Sequence, residues 1–205
     1  MVLIMIQKIF DSVAPVYDNL TQNWQAPSQL AQLLYETQHS KYLPNRLLDV
    51  GIGTGKSVSK AINSFGIDLS LKMLKSVRKK NIYLAQADLN NCLPFSDETF
   101  DLVTCCGVLE FIYLHDSSID ELTRVTKREG IVAFTAEIAG IGEDLNIEIA
   151  PQYNIYRVIW SQFMKQIASK YEIIGKNNFV AYQRPNLSTG KKKDVLFGGC
   201  ILRKE

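Results

Sequence analysis

The 205-residue chain has no CxxC pair among its four cysteines, and only two histidines, His39 and His115, to accompany them. Neighbours such as Cys105 and Cys106 are poorly placed to bridge each other, so a disulfide framework and a structural zinc site are both excluded as organising features. Free thiols fit a reducing compartment, and the expected localisation is cytoplasmic. No apolar run is long enough to span a bilayer; the opening Met1–Ile6 stops at Gln7 and Lys8 and carries no small-residue cleavage site. Excess charge is lacking as well. Lys and Arg number 23 against 21 Asp and Glu, a formal charge of +2. A nucleic-acid stripe needs more charge on one face than the single run Lys191–Lys193, which follows Gly190 and reads as a solvated turn. Internal repeats, low-complexity tracts and a linker between two folding units are all missing, and the length suits one well-buried domain.

What is present is alternation of strand and helix. Arg46–Val50 is a short apolar run ending in glycines, the pattern of a buried parallel strand. A helix is expected over Ser57–Ser64 and a strand over Gly66–Asp68. Ser70 is positioned to cap a helix reaching about Lys80, with Leu71, Leu74 and Val77 on one face. Strands follow at Ile82–Ala87 and Phe100–Cys105, then a helix at Ile119–Thr126 and a fifth strand at Gly130–Glu137. Tyr153–Ser169 carries Ile155, Ile159, Phe163 and Ile167 at helical spacing and predicts a core-facing helix. Tyr171–Tyr182 and Val195–Leu202 predict an antiparallel hairpin across the turn-rich Pro185–Lys193. Ile6–Tyr42 reads as helix in pieces, broken at Pro15 and Pro27, with Leu30, Leu33 and Leu34 as core. The sum is a mostly parallel sheet with an antiparallel edge.

The segment Leu47-Leu48-Asp49-Val50-Gly51-Ile52-Gly53-Thr54-Gly55-Lys56-Ser57 carries the chemistry. A strand running into close-spaced glycines lets backbone approach a ligand unobstructed. A phosphate loop needs four residues between its first glycine and Gly-Lys-Ser, and Gly51 to Gly55 leaves three. A dinucleotide fingerprint wants a third glycine where Lys56 stands. Asp-x-Gly-x-Gly-x-Gly is satisfied in full by Asp49, Gly51, Gly53 and Gly55.

That pattern resembles the first motif of class I S-adenosylmethionine-dependent methyltransferases. Gly66-Ile67-Asp68-Leu69-Ser70 with Met73-Leu74 resembles the family's second motif. Gln86-Ala87-Asp88-Leu89 ends the third strand. Leu93-Pro94-Phe95-Ser96-Asp97-Glu98-Thr99-Phe100-Asp101-Leu102-Val103 resembles the stretch into strand four, and Glu121–Gly130 the helix and turn before strand five. Glu129 stands where the family has a second glycine. The resemblance covers about Ile9 to Phe134 and is similar to the quinone-biosynthesis branch in Phe10–Asp18.

It implies a Rossmann-like three-layer α/β/α sandwich, with a seven-stranded mostly parallel sheet whose last strand is antiparallel, under an N-terminal helical lid. One methyltransferase domain is expected: a lid at about 1–42, a cofactor-binding core at about 43–137, and a C-terminal helix and hairpin at about 138–205. The implied cofactor is S-adenosyl-L-methionine, leaving as S-adenosyl-L-homocysteine. Asp49 would face the ammonium group and Asp68 the ribose hydroxyls. Leu69 and Met73 would form an apolar wall for the adenine, and Asp88 would take its amine. Leu89 and Cys105 complete the expected contacts. The expected acceptor is a small molecule, with Tyr17 and His115 as candidate catalytic groups and Tyr113 beside them; no metal is implied. Tyr17 can equally be the packing face of its helix, and His115 a helix cap. A non-catalytic S-adenosylmethionine binder and a nucleotide-dependent oxidoreductase are the rival readings.

Overall fold

A computed structural model describes residues 2–37, 44–56, 63–78, 81–113, 115–140, 142–150, 153–185 and 190–205. Its elements run α1 (Val2–Val13), α2 (Tyr17–Leu20), α3 (Ala26–Thr37), β1 (Arg46–Val50), β2 (Asn63–Asp68), α4 (Leu71–Ser76), β3 (Ile82–Gln86) and β4 (Phe100–Cys105). They continue with α5 (His115–Val125), β5 (Thr126–Glu137), β6 (Asn146–Ala150), β7 (Tyr153–Tyr156), α6 (Trp160–Ala168), β8 (Glu172–Pro185) and β9 (Lys192–Arg203); a 3₁₀ turn spans Leu109–Phe111.

Seven strands form one sheet in the order β3-β2-β1-β4-β5-β9-β8. β1 pairs in parallel with β2 and β4, β2 with β3, and β4 with β5. β9 inserts antiparallel between β5 and β8, so the last strand in sequence is the reversed one. The two-residue period of the strands divides the core. Leu47, Leu102, Ile131 and Ile201 face α3 through Leu30 and Leu33. Leu48, Val103, Cys105 and Phe134 face the other way, onto Ile119 and Leu122 of α5 and Phe163 and Ile167 of α6. Helices thus cover both faces of a buried sheet, which is why its central strands are near-continuous apolar runs.

Local signals place most boundaries. Ser70 accepts the Met73 backbone N–H at 3.1 Å and caps α4. Pro15 falls between α1 and α2, whereas Pro27 sits in the first turn of α3, where its missing N–H costs nothing. Three expectations are corrected. Tyr153–Ser169 is not one helix: Tyr153–Tyr156 pairs antiparallel with Asn146–Ala150 as a small separate sheet, and α6 begins at Trp160. Aromatic and β-branched residues in Tyr-Asn-Ile-Tyr favour the pleated state, and Ile155 matched the helical spacing by coincidence. Of the helix expected at Ser57–Ser64, residues 57–62 lie outside the described residues, and Asn63 and Ser64 belong to β2. The helix expected to reach about Lys80 stops at Ser76, with Val77 in extended backbone; residues 79–80 and 186–189 also lie outside the described residues.

Glu129 adopts φ +59°, the left-handed region that disfavours any residue with a Cβ. Its N–H donates to the Lys204 carbonyl at 2.7 Å, so tertiary pairing holds the turn between α5 and the body of β5. Glu129→Gly is expected to stabilise the protein by about 0.5–1 kcal/mol, part of the relief being offset by glycine's greater unfolded-state entropy. Urea unfolding of the two proteins checks it; an unchanged midpoint would mean the turn carries no strain.

Candidate functional site

The parallel strands β1, β2, β3 and β4 all end at one side of the sheet, where open α/β folds bind ligands. There the glycine turn folds back on β2: the Gly51 and Ile52 N–H groups both donate to the Ile67 carbonyl, at 2.8 and 2.9 Å. Gly51 has φ +70°, and a Cβ on it would lie 2.1 Å from Val108 Cγ2. Only glycine fits both demands.

Asp68 locks this turn to the next one. Its Oδ2 accepts the Gly53 N–H at 2.9 Å and its Oδ1 the Ser70 N–H at 2.8 Å. Each carboxylate oxygen retains a lone pair for a ligand hydroxyl. Burial raises the Asp68 carboxyl above the ordinary range, and the two N–H donors oppose that rise.

A cavity of about 900 Å³, counting its open mouth, lies against this corner. Gly51, Gly53, Asp68, Leu69, Met73, Asp88 and Leu89 all line it, so one site unites residues from three separate strand ends. Asp88 reaches the wall while also closing its own turn: its Oδ1 accepts from Asn90 N and Nδ2, and its Oδ2 from Asn91 Nδ2, each at 2.9 Å. Three of the expected residues do not line the cavity. Asp49 is fully buried at the end of β1 and accepts the Thr104 hydroxyl at 2.7 Å. Gly55 shapes the turn from behind, with φ +86°. Cys105 points into the α5 side of the core, and Cys106, with the opposite strand parity, takes the wall position beside Gly107 and Val108.

The N-terminal segment closes the front. Phe10, Tyr17 and Trp24 line the cavity, and the Phe10 ring meets Phe111 edge-on at 5.3 Å. Polar contacts fasten this segment to both turns. Asp11 Oδ1 accepts the Ser70 hydroxyl at 2.5 Å, and Asp18 Oδ1 accepts the Thr54 hydroxyl at 2.6 Å. Lys56, which stands where a dinucleotide fingerprint wants its third glycine, donates to the Asp18 carbonyl at 3.1 Å and the Thr21 hydroxyl at 2.8 Å. Its ammonium is engaged by the N-terminal segment.

Tyr17 sits at the centre of this arrangement, and burial, then Glu110 and Asp68, push its phenol well above the usual range. It stays protonated and neutral. His115 and Tyr113 stand elsewhere, on a surface depression between α5 and α6. His115 opens α5, pairs with the Leu109 carbonyl at 3.0 Å and packs its ring against Phe163. Tyr113 meets Tyr156 edge-on. Neither His115 nor Tyr113 lines the cavity at the strand ends, because the turn at Leu109–Phe111 carries the chain away before either residue is reached.

Sequence reasoning missed Trp24, Phe111 and Glu110. Trp24 packs over Gly107, where a Cβ would meet its ring at 2.2 Å, and no local pattern announces that contact. Glu110 offered a signal in retrospect, as a lone acid inside the apolar run Val108–Ile112.

The methyltransferase domain family matches residues 48–134, the stretch that builds these strand ends. The ubiquinone/menaquinone biosynthesis C-methyltransferase UbiE of Geotalea daltonii is 28% identical over 142 residues, 62% of this chain and 60% of that protein. The matches span 58%, 37% and 51% of three other curated relatives, so the chain spans about half the length of such proteins. Among solved structures, the S-adenosylmethionine-dependent methyltransferase of Mesorhizobium loti superposes with a TM-score of 0.63 at 19% identity, covering 86% of this chain and 96% of that one. The [4+2]-cyclase SpnF superposes at 0.73 with 19% identity, covering 97% and 94%. The glycine turn, the Asp68 clasp and the sheet order agree with these matches: residues 48–134 match a methyltransferase domain, and the fold is that of S-adenosylmethionine-dependent methyltransferases.

Proposed function

We propose that the chain transfers the S-adenosylmethionine methyl group to a small-molecule acceptor, with the cofactor in the cavity at the strand ends. The observation that carries this reading is Asp68, whose two oxygens fix the glycine turn and still face the cavity. In this reading the Asp68 carboxylate takes the ribose hydroxyls, and Leu69 and Met73 sandwich the adenine. Gly51 and Gly53 bring backbone close to the methionine portion. Asp49 acts one step behind them, through Thr104 and the end of β1. Residues 1–42 serve as the lid over one methyltransferase unit, latched by Asp11 and Asp18, and residues 138–205 build the acceptor side.

Methyl transfer from a sulfonium is an in-line displacement with a neutral leaving group. Alignment of donor and acceptor supplies much of the acceleration, so no triad of side chains is required. A base matters only when the acceptor loses a proton as it attacks.

The reaction is tested with S-adenosylmethionine tritiated in the methyl group against a panel of small hydroxyl, amine and thiol acceptors. Label transfer to at least one is the expected result. Tight cofactor binding with no transfer across a broad panel would favour a non-catalytic binder. Asp68→Ala is expected to weaken S-adenosylmethionine binding by about 1.5–3 kcal/mol or more, the scale for hydrogen bonds to a charged group. Calorimetry reads it; wild-type affinity in this variant would remove the ribose assignment.

A further inference from the structure

A second cavity, about 1510 Å³ with its open side, adjoins the first and shares Phe10, Tyr17, Trp24, Gly107 and Phe111 with it. Its far wall is β8, through Val180, Ala181 and Tyr182. Five aromatic rings, those of Phe10, Tyr17, Trp24, Phe111 and Tyr182, surround the space and favour a flat apolar occupant. Polar side chains share the lining, Thr21, Asn23, Gln25, Gln183 and Lys192 among them, and one acid, Glu110, stands out by its burial. Glu110 is 5% exposed, and its Oε2 is buried with no hydrogen-bond partner among the described residues. An unsatisfied buried carboxyl oxygen costs free energy, a cost that a ligand donor removes.

We propose that this second cavity is the acceptor subsite, and that Glu110 recognises a hydroxyl on a flat apolar acceptor and receives its proton during methyl transfer. The inference rests on the methyl-transfer reading of the adjoining cavity. The step balances with Glu110 ionised. The sulfur–methyl bond breaks as the oxygen–methyl bond forms, and its electron pair stays on sulfur. The hydroxyl proton passes to Oε2. The products are neutral S-adenosylhomocysteine, a methyl ether and a neutral carboxylic acid, whose proton returns to water on release. Burial places the ionisation of Glu110 near the working range of a general base, at about 8.

The test uses the full chain. S-adenosylhomocysteine is titrated first; failure to bind there counts against the proposed function and not against the acceptor subsite. On the saturated protein, 2-naphthol is then compared with 2-methylnaphthalene, a probe of similar shape without the donor. Wild type is expected to prefer the naphthol by roughly 5–50-fold, as for one hydrogen bond to a buried acceptor. Glu110→Leu should abolish the preference while still binding 2-methylnaphthalene. Glu110→Gln keeps an acceptor oxygen but cannot take a proton. It should retain the preference yet form 2-methoxynaphthalene at least ~100-fold more slowly than wild type, with KM little changed. Equal affinities in wild type, no binding of either probe, or a preference that survives Glu110→Leu would overturn the subsite. No turnover by wild type, or wild-type turnover by Glu110→Gln, would overturn the proton-accepting role.

Discussion

Gly51→Ala is expected to abolish measurable cofactor binding, lowering affinity by at least roughly 100-fold, and to destabilise the protein by about 2 kcal/mol or more. Two penalties coincide at this position. The backbone sits at φ +70°, where a Cβ is strained, and the added methyl would lie 2.1 Å from Val108 Cγ2. Neither neighbour can yield cheaply. The Gly51 N–H is held by the Ile67 carbonyl, and Val108 leads into the 3₁₀ turn at Leu109–Phe111. Relaxation must therefore shift the glycine turn or the loop after β4, and both line the cavity. Calorimetry with S-adenosylhomocysteine and urea unfolding measure the two effects. A variant that binds normally would show that the turn does not approach the ligand.

Glu110→Gln is expected to be more stable than wild type at alkaline pH, by on the order of 3–5 kcal/mol near pH 9. Burial, aided by the charge of Glu137, raises the Glu110 carboxyl from 4.5 to about 8, against its own backbone N–H. The sign follows from proton counts. Between those two values the folded state keeps a proton that the unfolded state has lost, so wild-type stability falls as pH rises through the interval. Above about 8 the full penalty is present; below 4.5 it vanishes. Glutamine has no such ionisation. Urea unfolding of both proteins at pH 5 and pH 9 should show the gap widening with pH. Parallel stabilities at the two pH values would mean that Glu110 is solvated in the folded protein. The same substitution that stabilises the fold should slow methyl transfer, the trade expected of a buried group kept for chemistry.

The strands with strong local signals were legible from sequence. β1 and β4 are short apolar runs bounded by glycine, proline or acidic residues, and their period of two also decides which core each side chain enters. Cys105 shows the limit of that reading. Its place at the end of a strand was correct, but the choice between Cys105 and Cys106 for the cavity wall depends on parity relative to the sheet. β6 and β7 were hidden because a four-residue strand carries too little pattern to outvote a chance helical spacing through Ile155 and Phe163. The place of Asp68 on the cavity wall was legible because an acid at a strand end falls beside the turns that follow β1 and β2. Trp24 and Glu110 were not, since their roles arise from contacts across long stretches of chain: Trp24 with Gly107, and Glu110 with a wall built from β8. His115, read from sequence as either a catalytic candidate or a helix cap, opens α5, and its hydrogen bond to Leu109 turns it toward α6.

The most direct measurement is a calorimetric titration of the full chain with S-adenosylmethionine, S-adenosylhomocysteine and NAD in parallel. The geometry of the glycine turn and Asp68 predicts one-to-one binding of both adenosyl ligands, weakened in Asp68→Ala, and no heat from NAD. Binding of NAD with no response to either adenosyl ligand would contradict the account.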